Sequence, residues 1–495
     1  MKRQKFTYIL VFLALTISQP PATGQDSRPH YRKLKLPAGT QFPASQRALL
    51  GMRDAADDHA MAEMRAHAWD LFAGLTKGET PIWDTWYTEC DLGLLDCSLP
   101  KPKEPNSVRL LRNLTVPSQF LQSLSETSND VTPVSTRNSE LVNSTVLKFA
   151  QEFLASPQLA SVLFNKEAKS RIQKDCLHPY KSSPRVGAAD GCPKPKHSTA
   201  VSIRNFHRRT VALKMEWAPA SKTNPRIWTY KPDLWMHVHD PRRYDPGKQM
   251  DRVNIKLPST QPSDKDKCED RDYKEDEDVP LSCFYYIRPK AEDLAALQQN
   301  KGLNDDVAAS GVQPGDYLVL IAVHVTTKEI PDWVWATFWW ARDGHGDKRA
   351  EGRPPTIGSQ WGHFLMDTTL SGTTPTEKED GGLKICFNPY LETKILFNHT
   401  PTGIVSNCLQ CHSRASYAPG DQAVQFNSYD QGILARDGKT LEGSGLKPAS
   451  DQEFFNGRLK TDFLWSISDA FTPRIQQLRG QLRLALQSLT TRANQ

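Results

Sequence analysis

Tyr317–Trp340 reads YLVLIAVHVTTKEIPDWVWATFWW. The first half is a run of apolar and β-branched residues, and the second, after Pro331-Asp332, is aromatic. Such runs, broken by Pro, Gly and Asp, are strand signals. The same texture spreads upstream from His197 through STAVSIRNF (198–206), TVALKMEWAP (210–219), RIWTYKPDLWMHVH (226–239) and SCFYYIRP (282–289). Short strands separated by turn residues predict an antiparallel sheet or sandwich over the middle of the chain.

Helical periodicity flanks this centre. In DAADDHAMAEMRAHAWDLFAGLT (54–76) the apolar positions Met61, Met64, Ala68, Leu71 and Leu75 recur at three and four, with Asp54 placed as an N-cap. A second helix is expected over STVLKFAQEFLASPQLASVLFNKEAKSRIQ (144–173), broken near Pro157. Residues 98–144, rich in Ser, Thr, Asn and Pro, read as a covering arm. The last residues, RIQQLRGQLRLALQSLTTRA (474–493), put Ile475, Leu478, Leu482, Ala485 and Leu489 on one stripe, which predicts a helix docked on its own chain. The expected class is α+β: N-terminal helices, a central antiparallel β-rich part and a mostly helical C-terminal segment. By segment, this gives an export signal over 1–24, a helix with its arm over 25–140, the β-rich part with its leading helix over 141–380, and the C-terminal segment over 381–495.

The chain has 495 residues, a formal charge of +6 and twelve tryptophans. That length implies two or three packed units. A modest charge with no basic stripe argues against nucleic acid as the main partner. Met1-Lys2-Arg3-Gln4-Lys5 followed by the apolar run from Tyr8 to Ile17 reads as an export signal, with cleavage expected near Gly24-Gln25. No later stretch is apolar for the eighteen or so residues that a spanning helix needs. The expected location is therefore periplasmic or otherwise exported, with no integral span once the signal is removed. Cysteine usage agrees: Cys90/Cys97, Cys176/Cys192 and Cys268/Cys283 are sequence neighbours that an oxidising compartment would join, among fifteen connectivities that six cysteines allow. Cys386 is left over and is expected to be buried. The charged run from Gln261 to Pro280 lacks the pattern of a calcium loop and reads as a solvated loop closed by Cys268 and Cys283.

The chemically explicit motif is Cys408-Leu409-Gln410-Cys411-His412. Two thiols three positions apart on a helical turn project to one side, where each can form a thioether with a haem vinyl group. The next histidine can then present a ring nitrogen to the iron. This is the c-type attachment pattern, with Cys408, Cys411 and His412 as the cofactor-binding set and one covalent haem c as the cofactor. Three other uses fit the residues: a thioredoxin-like redox pair, a zinc site completed by Cys386 or His399, and a simple disulfide within the motif. No methionine or histidine follows His412, so a sixth iron ligand must come from upstream or be absent. His324 is the first candidate, then His399, then Met366 and His363. His237 and His239 share a strand face at a spacing that could chelate a metal. The tryptophans of WVWATFWW either wall a haem pocket or pack between layers.

The segments GDYLVLIAVHVTTKEIPDWVWATFWW (315–340), NPYLET (388–393), SNCLQCHSRA (406–415) and TDFLWSISDAF (461–471) resemble a family of large exported bacterial proteins that carry one c-type haem site near the C-terminus. The resemblance spans roughly residues 55 to 470. It implies thioether roles for Cys408 and Cys411 and a proximal role for His412, and it implies no particular reaction. The expected function is one-electron transfer, with redox proteins or a small-molecule donor or acceptor as partners. The alternatives are a haem enzyme of peroxidase or oxidase type with an open sixth position, served by Glu329 or His324 as distal acid or base, or a haem-based gas sensor.

Overall fold

The computed structural model describes residues 30–55, 57–95, 97, 106–117, 146–147, 150–151, 158–178, 202–230, 250–258, 267–299, 306–370, 386, 388–391, 395–397, 400–402, 408–417 and 458–493. In chain order the strands that matter here are β1 (Tyr87–Thr88), β2 (Leu159–Phe164), β3 (Val211–Ala220), β4 (Arg226–Tyr230), β5 (Met250–Lys256), β6 (Val279–Pro280), β7 (Tyr286–Ile287), β8 (Tyr317–Thr327), β9 (Val334–Trp340) and β10 (Phe364–Thr369). One seven-stranded sheet runs in the order β1-β2-β3-β8-β9-β10, and β7 pairs with β8 beyond the end of β9. Every pairing in it is antiparallel. The stretch quoted first forms the hairpin at its centre, and helices surround it, so the class is α+β.

Alternation on β9 gives the sheet two different faces. Phe338 and Trp340 point to one side, where the helix Asp58–Thr76 lies across them. Phe72 of that helix stacks on Phe338 with ring centroids 4.2 Å apart, and Trp69 meets the same ring edge-on at 5.4 Å. Phe364 and Trp361 close the cluster. Burying an aromatic side chain of this kind contributes about 1.5–3 kcal/mol. The helix packs its stripe of Met64, Ala68, Leu71 and Leu75 inward as the periodicity predicts. Its N-cap, however, is Asp57, which accepts from Ala60 N at 2.8 Å; Asp54 lies in a separate helix, Gln46–Ala55. Gly74 is required where the chain crosses this helix, because a Cβ there would sit 2.8 Å from the Lys35 carbonyl oxygen.

The other face carries Trp335, Thr337 and Trp339. Trp339 meets Tyr230 of β4, and Asn388 donates to Thr337 Oγ1 at 2.8 Å and to the Phe338 carbonyl at 3.0 Å. Strands β4 and β5 pair antiparallel, with β6 parallel beside β5. The helix Pro473–Ala493 docks on its own chain as expected: Ile475, Leu478, Leu482 and Ala485 are buried, and Arg483 pairs with the buried Asp306 at 3.0 Å. Among the described residues, no helix is long and apolar enough to cross a membrane.

Two expectations are corrected. Leu159–Phe164 is strand rather than helix: it pairs with β1 and β3 along its edges, and with residues of both faces buried its mostly apolar run carries no clear period to tell the two apart. Residues 146–147 and 150–151 are helical as expected, and a separate helix, Lys166–Lys174, follows the strand, capped by Asn165. In 198–206 the described residues 202–206 make a single bridge, Ser202 to Lys460, and no strand of the sheet. Phe338, in the same aromatic run as Trp333 and Trp335, points to the opposite face. The covering arm also includes a short helix, Asn106–Arg112, whose Arg109 is buried against Asp91.

Cys90–Cys97 and Cys268–Cys283 are disulfides. Cys176 is disulfide-bonded as well, and Cys192, its expected partner, lies outside the described residues. The export signal lies outside them too.

Candidate functional site

Cys408–His412 forms one short helical turn. Leu409, 2% exposed, anchors it in a second apolar cluster with Phe164, Ala212, Trp335, Leu464 and Ile467. This cluster lies against the Trp335 face of the sheet, opposite the Phe72 stack. The chain then leaves the turn and returns to it. Ser416–Tyr417 pairs with Leu459–Lys460, and Thr461 N donates to the Ala415 carbonyl at 2.9 Å. The returning strand delivers Asp462 and Phe463 to the motif.

Those two residues adopt left-handed backbone, with φ of 48° and 70°. Neither is glycine, so the conformation costs energy that surrounding contacts must offset. The turn aims the Phe463 carbonyl at His412, whose Nδ1 lies 2.7 Å from the oxygen. A carbonyl only accepts, so Nδ1 carries the proton and Nε2 keeps a bare lone pair. That is the tautomer a metal-binding imidazole needs. The Trp335 ring lies 4.3 Å from the His412 ring, centroid to centroid. Although the residue keeps some surface exposure, loss of water around its ring pushes His412 down to about 3, with charge on His324 and Lys214 adding to the effect.

Asp462 is held at both oxygens. Oδ2 accepts from Phe206 N at 2.8 Å and Oδ1 from Lys328 Nζ. The Lys328 and Asp462 side chains are each 3% exposed. Burial pushes the Asp462 carboxyl up and the Lys328 amine down, and each charge resists the shift of the other.

The structure sorts the predicted residues. His324 pairs with Thr337 and Lys214, one step along the ladder from Thr326 and Trp335, so it faces the motif. Glu329 does not. It points to the opposite face, where His67 Nε2 at 3.0 Å, Thr327 Oγ1 at 2.5 Å and Ala44 N at 2.6 Å engage both of its oxygens. Burial alone would raise its pKa, but these partners hold it below the usual carboxylate range. Glu329 is therefore not placed to act as a distal acid or base beside His412. Met366 is fully buried and pairs with Phe338, again on the far face. His363 sits at the edge of that face, beside Trp340 and Tyr273. Cys268, Cys283 and His363 bring their ligand atoms within 4.8 Å of one another, but the two sulfurs are joined to each other and offer no thiolate. His237, His239, His399 and the Cys411 side chain lie outside the described residues.

Sequence reasoning missed Lys328, Asp462, Phe463 and Glu89. Glu89 lies among Ser466, Arg479, Asp469 and Lys214, and burial pushes its carboxyl up. It also missed a neighbour of Cys408. Cys386, buried as expected, places its Sγ 3.7 Å from Cys408 Sγ.

The donor set fits a c-type haem in two respects: a free thiol at Cys408 and a bare imidazole nitrogen at His412, one helical turn apart. No family model matches this chain, and comparisons with curated proteins and with solved structures returned no match.

Proposed function

We propose that the chain is an exported one-electron carrier with a single covalent haem c, attached through Cys408 and Cys411 and ligated by His412. The observation that carries this reading is the 2.7 Å contact between His412 Nδ1 and the Phe463 carbonyl on a CxxCH turn. When bound, the haem supplies an iron that cycles between ferrous and ferric states. The chain does the rest. Phe463 fixes the tautomer of His412, Trp335 covers the ring, and the apolar cluster around Leu409 limits water. His324, on the adjacent sheet row, is the proposed sixth ligand. Electron transfer is preferred over a haem enzyme because the acid proposed for the enzyme, Glu329, belongs to the other face. Partners would be redox proteins or small-molecule donors and acceptors.

The test is the mass and optical spectrum of the chain exported by a host with intact haem maturation. The reading expects the mass of one added haem and a low-spin spectrum in both oxidation states, indifferent to carbon monoxide. A polypeptide of unmodified mass and no colour sinks it.

A second reading rests on the 3.7 Å separation of Cys386 and Cys408. The two thiols would join as a disulfide, passing two electrons to a disulfide-bearing oxidant and releasing two protons. A Cys386–Cys408 cross-linked peptide, isolated after alkylation and digestion of the haem-free chain, would favour it.

A further inference from the structure

We propose that the buried Lys328–Asp462 ion pair is the positioning unit for the His412 ligand. It holds the left-handed Asp462–Phe463 turn so that the Phe463 carbonyl takes the Nδ1 proton and Nε2 is left facing the metal. The identity of the metal as haem iron rests on the function proposed above; the control of the imidazole does not.

Two consecutive non-glycine residues at φ 48° and 70° are stable only where contacts over-determine them. The contacts here converge on one carboxylate: Lys328 Nζ bonds Asp462 Oδ1 and Phe206 N bonds Asp462 Oδ2. Lys328 is itself fixed, because its Nζ also donates to the Pro331 carbonyl at 2.6 Å. It follows β8 directly, and side-chain alternation carries it to the His324 side of the sheet. The β8–β9 turn is thereby tied to the loop that orients His412. A buried pair of this kind gains little stability over an apolar replacement, so a role in specifying geometry suits it better.

The test uses the full exported chain with Lys328→Met, Asp462→Asn, Lys328→Arg and the double change Lys328→Met/Asp462→Leu. The double variant removes both charges together, so it can fold where a single change leaves one charge stranded. If the chain carries haem, the readout is the reduction potential. Without the carbonyl acceptor the imidazole donates less electron density. The Lys328→Met, Asp462→Asn and double variants should therefore shift the potential upward, and Lys328→Arg should keep it native. If the chain carries no haem, the haem reading fails separately, and the readout becomes the His412 tautomer by nitrogen-15 NMR. The native ring and Lys328→Arg should then be protonated at Nδ1, with mixed tautomers in Lys328→Met, Asp462→Asn and the double variant. A folded double variant with native potential, or with a native tautomer, overturns the proposal.

Discussion

The two faces of the central sheet are built on different terms. On one, Phe72, Trp69, Phe338 and Phe364 interlock with almost no polar atom among them. On the other, the strands present Lys214, His324, Thr337 and Trp335 to the helical turn that carries Cys408 and His412. The first face earns stability through area and shape. The second gives up some of that area to hold polar groups in fixed relation. The same strands serve both, because alternate residues point opposite ways.

The largest effect should come from cutting into the apolar face. Phe72→Ala is expected to cost about 3–5 kcal/mol in a urea titration while leaving the His412 surroundings intact. An equal disturbance of both faces would mean that they are not independent. Next is acid. Burial, aided by charge on His345, pushes His363 from 6.5 down to about 4, so the fold keeps it neutral where the unfolded chain protonates it. Stability from this group is complete above pH 6.5 and is lost as pH falls towards 4, a difference of about 3 kcal/mol. His363→Leu should flatten that limb of the pH–stability curve, and an unchanged limb would assign it elsewhere.

Asn388→Ala tests the polar face. It strips the bonds donated to Thr337 and Phe338 and those accepted from Tyr390 N and Leu391 N from a fully buried side chain, and should cost about 1–3 kcal/mol by chemical denaturation. The smallest stability change belongs to Trp335→Phe, expected below about 1.5 kcal/mol. Its signature should be spectroscopic, as a shift in the absorption or NMR lines of the His412 site. A large loss of stability without a spectral change would place Trp335 with the packing residues instead.

Legibility in the sequence followed locality. The Cys408–His412 motif is complete within five residues, and the stripe Met64, Ala68, Leu71, Leu75 within one helix, so both could be read directly. The strands β3, β8 and β9 announced themselves by β-branched and aromatic content. By contrast, β2 was hidden, since burial on both faces erases the alternation that marks a strand. The site lost most in the reading. Asp462 and Phe463 look like ordinary turn residues, and nothing near them says that Lys328, more than a hundred positions earlier, will hold them in left-handed geometry. Nor does the spacing of Cys386 and Cys408 resemble any local motif. Glu329 misled for the opposite reason: its neighbours in sequence sit near the motif, but its side chain takes the other face.

Lys328 and Glu329 are consecutive, opposite in charge and sent to opposite sides of one sheet. A single residue inserted after Thr327 would carry the amine to the slot against His67 and leave the inserted residue, in place of Lys328, facing Asp462. Length changes in the largely buried β8–β9 connection should therefore be poorly tolerated, and any natural variant that lengthens it should also have lost the Asp462 charge.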